Sequence, residues 1–194
     1  MGILMIVFLT LAATADSFII AFNYGIKKVI ISNSSNFFIS ILCLCGTLLS
    51  MFIGKTLGGL VSVHLADIIG SIVLIGLAVY MLYNTFHTGK NETQPYTKDP
   101  SAVDKDDSKV IELRESLLIG ILLSINNMGM GIGAGIAGMP VSITPVICAA
   151  ASFIFIKIGC VFGRHITSLK LSKVLEIISA VLVLLLGILG FFNN

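Results

Sequence analysis

Six runs along this chain are each about 20 residues long and hold at most two charged side chains apiece: residues 3–24, 37–57, 66–86, 113–138, 143–162 and 174–192. A helix of that length crosses the hydrocarbon core of a bilayer, and only a helix satisfies every backbone N–H and C=O there from within its own segment. The runs therefore predict an all-α integral membrane protein of six transmembrane helices. Composition excludes a water-soluble domain, since 56% of the residues are hydrophobic, 11% are charged and the mean hydropathy is +1.04. Lys27 and Lys28 follow the first run instead of preceding it, so it reads as a span and not as a cleaved leader.

The charges between the runs set an expected orientation. Lys27, Lys28, Lys90, Lys98, Lys105, Lys109, Arg114, Arg164, Lys170 and Lys173 fall on one side, and Lys55 alone on the other. Lys157, within the fifth run, can reach toward the side of Arg164. The positive-inside rule then makes the first, third and fifth connections cytoplasmic and puts both termini outside. Residues 87–112 form a polar cytoplasmic loop without apolar periodicity, expected to be mobile, between a first unit at 1–86 and a second at 113–194. Its sequon at Asn91 would matter only on an extracytoplasmic face. The lipid bilayer is the expected partner. Nothing in a net charge of +2 suggests nucleic acid.

The two units resemble one another. A shift of 110 residues lays Asp16, Ser17, Ala21 and Gly25 on Asn126, Asn127, Gly131 and Gly135. A shift of 105 lays Gly46, Ser50, Gly54 and Gly58 on Ala151, Phe155, Gly159 and Gly163, and Cys43 on Cys148. A shift of 109 superposes the third run on the sixth. Three matches in chain order predict two three-helix repeats, and because each has an odd number of crossings the second must be inverted, a plan common in secondary transporters. The small-residue stripes are expected to be packing faces, where helices one, two, four and five approach closely and form the centre, flanked by three and six.

Asp16 is the carboxylate nearest the middle of any run; Asp67 and Glu176 lie near ends. An aspartate at the bilayer centre costs about 2.5 to 3.5 kcal/mol on insertion scales, so something must offset it. One offset is a protonated acid in an interhelical hydrogen bond, and another is an ion or proton site. Asn126, Asn127 and Ser124 on helix four, Asn23 two turns beyond Asp16, and Thr47 on helix two would complete an oxygen-rich set suited to a hard divalent cation. Cys43 and Cys45 are two apart and point in different directions on a helix, which disfavours a thiolate site. No nucleophile–base pair or phosphate loop is present, so neither enzymatic activity nor a permanently bound cofactor is expected.

Thr14-Ala15-Asp16-Ser17-Phe18, followed by Phe22-Asn23-Tyr24-Gly25-Ile26-Lys27-Lys28, resembles the helix-one motif of the MntP-like membrane proteins, and the segment from Leu123-Ser124-Ile125-Asn126-Asn127-Met128-Gly129 through Gly138 resembles its helix-four counterpart. The likeness covers nearly the whole chain and is greatest to a sporulation-associated branch. It implies a six-helix fold of inverted repeats and, from the pumps of the family, manganese export through acidic residues of helices one and four. This chain has Asn126 where the pumps have Asp, and Thr47 roughly where they carry Glu. Two functions follow as expectations: a small cation transporter with Mn as possible cargo, and a non-transporting membrane scaffold of sporulation.

Overall fold

A computed structural model describes residues 2–60, 62–87, 103–104, 108–165 and 169–192, apart from some side chains near helix ends, those of Asp67 and Glu176 among them. Of the expected loop, residues 88–102 and 105–107 lie outside the described residues, and the Asn91 sequon lies there too. The helices are α1 (Gly2–Ile26), α2 (Asn33–Gly58), α3 (Val63–His87), α4 (Leu113–Ile136), α5 (Thr144–His165) and α6 (Leu169–Phe192). Among the described residues, five helices contain a stretch long and apolar enough to cross a membrane, and in α6 the described apolar stretch is Ile177–Leu189. The chain is thus an all-helical membrane protein.

Helix ends follow local chemistry more closely than the apolar runs suggested. Helix α2 starts at Asn33, before its first apolar residue, because the Ser32 hydroxyl accepts the Ser35 N–H at 3.1 Å and supplies the N-cap. Helix α1 closes with the bonds of a Schellman motif: Val29 N–H donates to Tyr24 O at 3.0 Å, Lys28 N–H to Gly25 O at 2.9 Å, and Lys28 takes a φ of 61°. Helix α4 closes in the same way, with Met139 N–H on Ala134 O at 3.0 Å, Gly138 N–H on Gly135 O at 3.2 Å and Gly138 at φ 71°. The four residues concerned at one helix end lie 110 positions from their counterparts at the other.

The small-residue stripes are where the helices come closest. A Cβ on Gly25 would stand 2.5 Å from Cys160 O and 2.9 Å from Gly163 Cα, and one on Gly159 would stand 2.7 Å from Phe18 O. Gly163 faces Phe22 O, so α1 and α5 run parallel and nearly touch backbones, with Ala21 between them. In α2 and α4, also parallel, Gly54 faces Ile132, Gly58 faces Ile136, Gly135 faces Met51 O, Gly46 faces Ser124 and Gly131 faces Ser50. Small residues drive such approach because lipid offers no hydrophobic force between helices.

The other main pairings are α2 with α5, α1 with α6, α3 with α4 and α3 with α6, with narrow contacts of α1 with α4 and of α2 with α3. Exchanging α1, α2 and α3 for α4, α5 and α6 leaves these pairings unchanged apart from the narrow α2–α3 contact. Helices α3 and α6 are more than flanks, since they pack extensively on each other and Gly187 sits against Ile75 and Ser71.

Two short strands, β1 (Ile30–Ile31) and β2 (Val110–Ile111), pair in parallel and tie the α1–α2 connection to the start of α4. They lie at the end of the bundle that carries Lys27, Lys28, Lys109, Arg114 and Arg164, called the basic end below. The expected mobile loop needs correction there. Val103 is 2% exposed and Asp104 6% exposed, both packed into the structure.

Candidate functional site

Two apolar clusters divide the interior. One, toward the basic end, comprises Ile20, Ala21, Tyr24, Val29, Ile39, Cys43, Val103, Ile111, Ile119, Leu123, Ile156 and Cys160. The other fills the opposite half and includes Leu9, Ala13, Met51, Leu74, Met130, Ala134 and Leu186. Along α1, Leu9 and Ala13 belong to the second cluster and Ile20 and Tyr24 to the first; Asp16 lies between. Along α4, Ile119 and Leu123 belong to the first and Met130 and Ala134 to the second; Asn126 lies between.

Those two interrupting residues meet. Asn126 Nδ2 donates a hydrogen bond to Asp16 Oδ2, joining α1 to α4 at mid-height, with Asp16 half-buried and Asn126 exposed. An amide donor gives the carboxylate a partner that water would otherwise supply, which lowers the penalty of placing it in a span. Neither residue is a closed core pair, because both keep accessible surface.

Further polar side chains occupy the same level on either side. Between α1 and α5 the Ser17 and Ser152 hydroxyls are hydrogen-bonded at 2.7 Å, while Thr10 Oγ1, about 9 Å along the α1 axis from Asp16, lies 3.6 Å from Cys148 Sγ. Between α2 and α4 the arrangement differs. Thr47 is 3% exposed and Asn127 4% exposed, yet Thr47 Oγ1 and Asn127 Oδ1 each lack a hydrogen-bond partner. Asn127 lies one turn from both Ser124, which faces Gly46, and Gly131, which faces Ser50, so it faces the α2 segment that contains Thr47. A buried oxygen left unpaired costs about 1 to 3 kcal/mol, a penalty that a bound cation or water would relieve.

The shifts of 110 and 105 place Ser17 on Asn127 and Thr47 on Ser152. The satisfied hydroxyl pair of one half thus corresponds to the unsatisfied oxygen pair of the other. Sequence reasoning missed Ser152, whose hydroxyl is indistinguishable from a packing residue until its partner is known.

The expected set is only partly gathered. Asp16 and Asn126 form a pair, and Ser124, Asn127 and Thr47 lie on the adjoining α2–α4 face. Asn23 is buried on α1 but seven residues from Asp16, about 10 Å along the axis, near the basic end. Cys43 is buried and Cys45 exposed, as their spacing required. Among the described residues no three His, Cys, Asp or Glu side chains gather as a metal-binding group. A cation at this level would therefore rest on one carboxylate together with amide and hydroxyl oxygens, a donor set of hard character.

Comparison with known proteins finds a family and a relative. The family described as "Putative manganese efflux pump" matches residues 35–190. A curated relative from Bacillus subtilis (strain 168), "Probable sporulation protein YtaF", is 27% identical over 209 aligned positions, covering 97% of this chain and 99% of that one. No solved structure matches.

Proposed function

Because the chain belongs to the manganese efflux pump family, we propose that it moves a small divalent cation, with Mn as the leading candidate, past the Asp16–Asn126 pair. The observation that carries this reading is the polar level held between two apolar clusters, with a carboxylate at its centre and unpaired oxygens of Thr47 and Asn127 beside it. A scaffold would have no need of such a level. Transport does, because an ion must find oxygen ligands midway while apolar seals keep the two faces apart.

In this reading the chain is two inverted three-helix repeats. Support comes from the matching Schellman closures of α1 and α4, from main helix pairings that survive exchange of the two halves, and from the opposed directions of α1 and α4. The basic end faces the cytoplasm and both termini face outward. The name of the Bacillus subtilis relative suggests that the protein acts in sporulating cells.

One carboxylate and one amide hold Mn less strongly than two carboxylates would. In Mn-sensitive cells that lack their own exporter, Asn126→Asp should therefore raise Mn tolerance above that of the parent protein at matched expression, and Asp16→Asn should abolish it. Well-expressed protein in which neither substitution changes tolerance would favour a scaffold instead.

A further inference from the structure

Two thiols that are far apart in the chain come together where α1, α2 and α5 meet. Cys43 of α2 is 2% exposed and Cys148 of α5 is 4% exposed, and both are free. The Cys43 thiol shares a hydrogen bond with the Ser152 hydroxyl, and Cys148 lies close enough for its thiol to interact with that of Cys43. Ser152 and Cys148 are one turn apart on α5, so the face that meets Cys43 carries both. Ser152 is in turn bonded to Ser17 at 2.7 Å, and Cys148 to Thr10 at 3.6 Å. Each thiol is thus held by a hydroxyl from a neighbouring helix, whereas a thiol used only as a small apolar filler needs none.

Cys43 and Cys45 point apart, but Cys43 and Cys148 face one another across the α2–α5 contact and can share a ligand. Among the described residues no third His, Cys, Asp or Glu gathers with them. Two sulfurs alone suit a soft ion that takes two ligands in line, as cuprous and mercuric ions do. Charge separates those two. Two thiolates neutralise a divalent ion, whereas with a monovalent ion they leave a net negative charge buried among helices, which is costly.

We propose that Cys43 and Cys148 form a binding site for a thiophilic divalent metal ion of the mercuric kind, held between the two sulfurs. On binding, both S–H bonds break, two metal–sulfur bonds form and two protons pass to water; nothing is oxidised or reduced. The product is neutral and staples α2 to α5. Thr47 stands one turn from Cys43 on α2, so the ion sits beside the polar level and obstructs a cation there. That obstruction rests on the proposed function; the binding does not.

Two backgrounds with equal numbers of buried thiols test the site. One keeps Cys43 and Cys148, with Cys45 and Cys160 replaced by Ser. The other keeps Cys148 and Cys160, which are about 18 Å apart along the α5 axis and cannot share an ion. Each protein, reduced and in detergent, is loaded with one equivalent of mercuric chloride and titrated with mercaptoethanol, and the mercury retained per chain is measured after gel filtration. A bridged ion is held by a second sulfur at high effective concentration, so the first background should keep its mercury to about tenfold higher mercaptoethanol, or more, than the second. Replacing Cys43 by Ser in the first background should remove that advantage. Equal stripping of the two backgrounds would overturn the site, and so would an advantage that survives Cys43→Ser. In liposomes the bound mercury should also abolish Mn entry through the first background and spare the second. Mercury retained with no Mn entry through either unloaded protein would leave the binding site standing and count against the transport reading alone.

Discussion

A methyl group added at Gly54 should unsettle the bundle, whereas one added at Gly76 should not. A Cβ at Gly54 would lie 3.0 Å from Ile136 N and from the carbonyl carbon of Ile132, and nearer still to Ile132 O; at Gly76 it would meet nothing within 4 Å. The obstructing atoms at Gly54 are backbone, so no side chain can rotate away and α2 must move off α4. Overpacking of this kind costs about 1 to 3 kcal/mol, and the upper figure applies where only backbone can yield. Both substitutions to Ala gain about 1 kcal/mol of helix propensity, which cancels in the comparison. Gly54→Ala should then be about 3 kcal/mol less stable than Gly76→Ala, or roughly 6 to 12 °C lower in unfolding midpoint for a chain of this size. The chain has no Trp, but the buried thiols of Cys43, Cys148 and Cys160 permit a thiol-reactive dye to follow unfolding in detergent once exposed Cys45 is replaced by Ser. Equal midpoints for the two variants would refute the close-contact account of the α2–α4 face.

The helix closures offer a second check. Lys28 holds the left-handed conformation that Gly138 occupies at the corresponding place, so Lys28→Gly should raise stability by about 0.5 kcal/mol, the relief of that conformation less the added freedom of the unfolded chain, measured by the same dye assay. Orientation is checked with single cysteines. Ser35 is fully buried and unsuitable for labelling, whereas Lys27 and Lys55 are exposed at opposite ends. In intact cells Lys55→Cys should react with an impermeant reagent and Lys27→Cys should not; the reverse pattern would invert the topology.

The helices were legible because spans of lipid-facing residues leave an unbroken apolar signal, and the stripes were legible because glycine at four-residue spacing has few other uses. Which stripe meets which could not be read. Ser17, Ala21 and Gly25 looked the same whether they faced α5, as they do, or α2, since any small-residue face fits another. The Asp16–Asn126 contact was foreshadowed by the cost of each residue in a membrane. The burial of Val103 and the short strand pair were not foreseen. Val103 is a lone apolar residue among Lys, Asp and Ser, and two-residue strands are too short for alternation to register. Its burial depends on the shape of the surface formed by four helices, which local sequence does not encode. The unpaired oxygens of Thr47 and Asn127 were likewise hidden, because satisfaction is a property of neighbours.

The claim that a cation passes the Asp16 level is tested most directly by flux. Purified protein in liposomes containing a Mn-sensitive dye, with the bilayer otherwise sealed, would be compared with Asp16→Asn at equal incorporation. The account expects saturable Mn entry through the parent protein and none above empty liposomes through Asp16→Asn. Equal flux through both, or none through either, would contradict it.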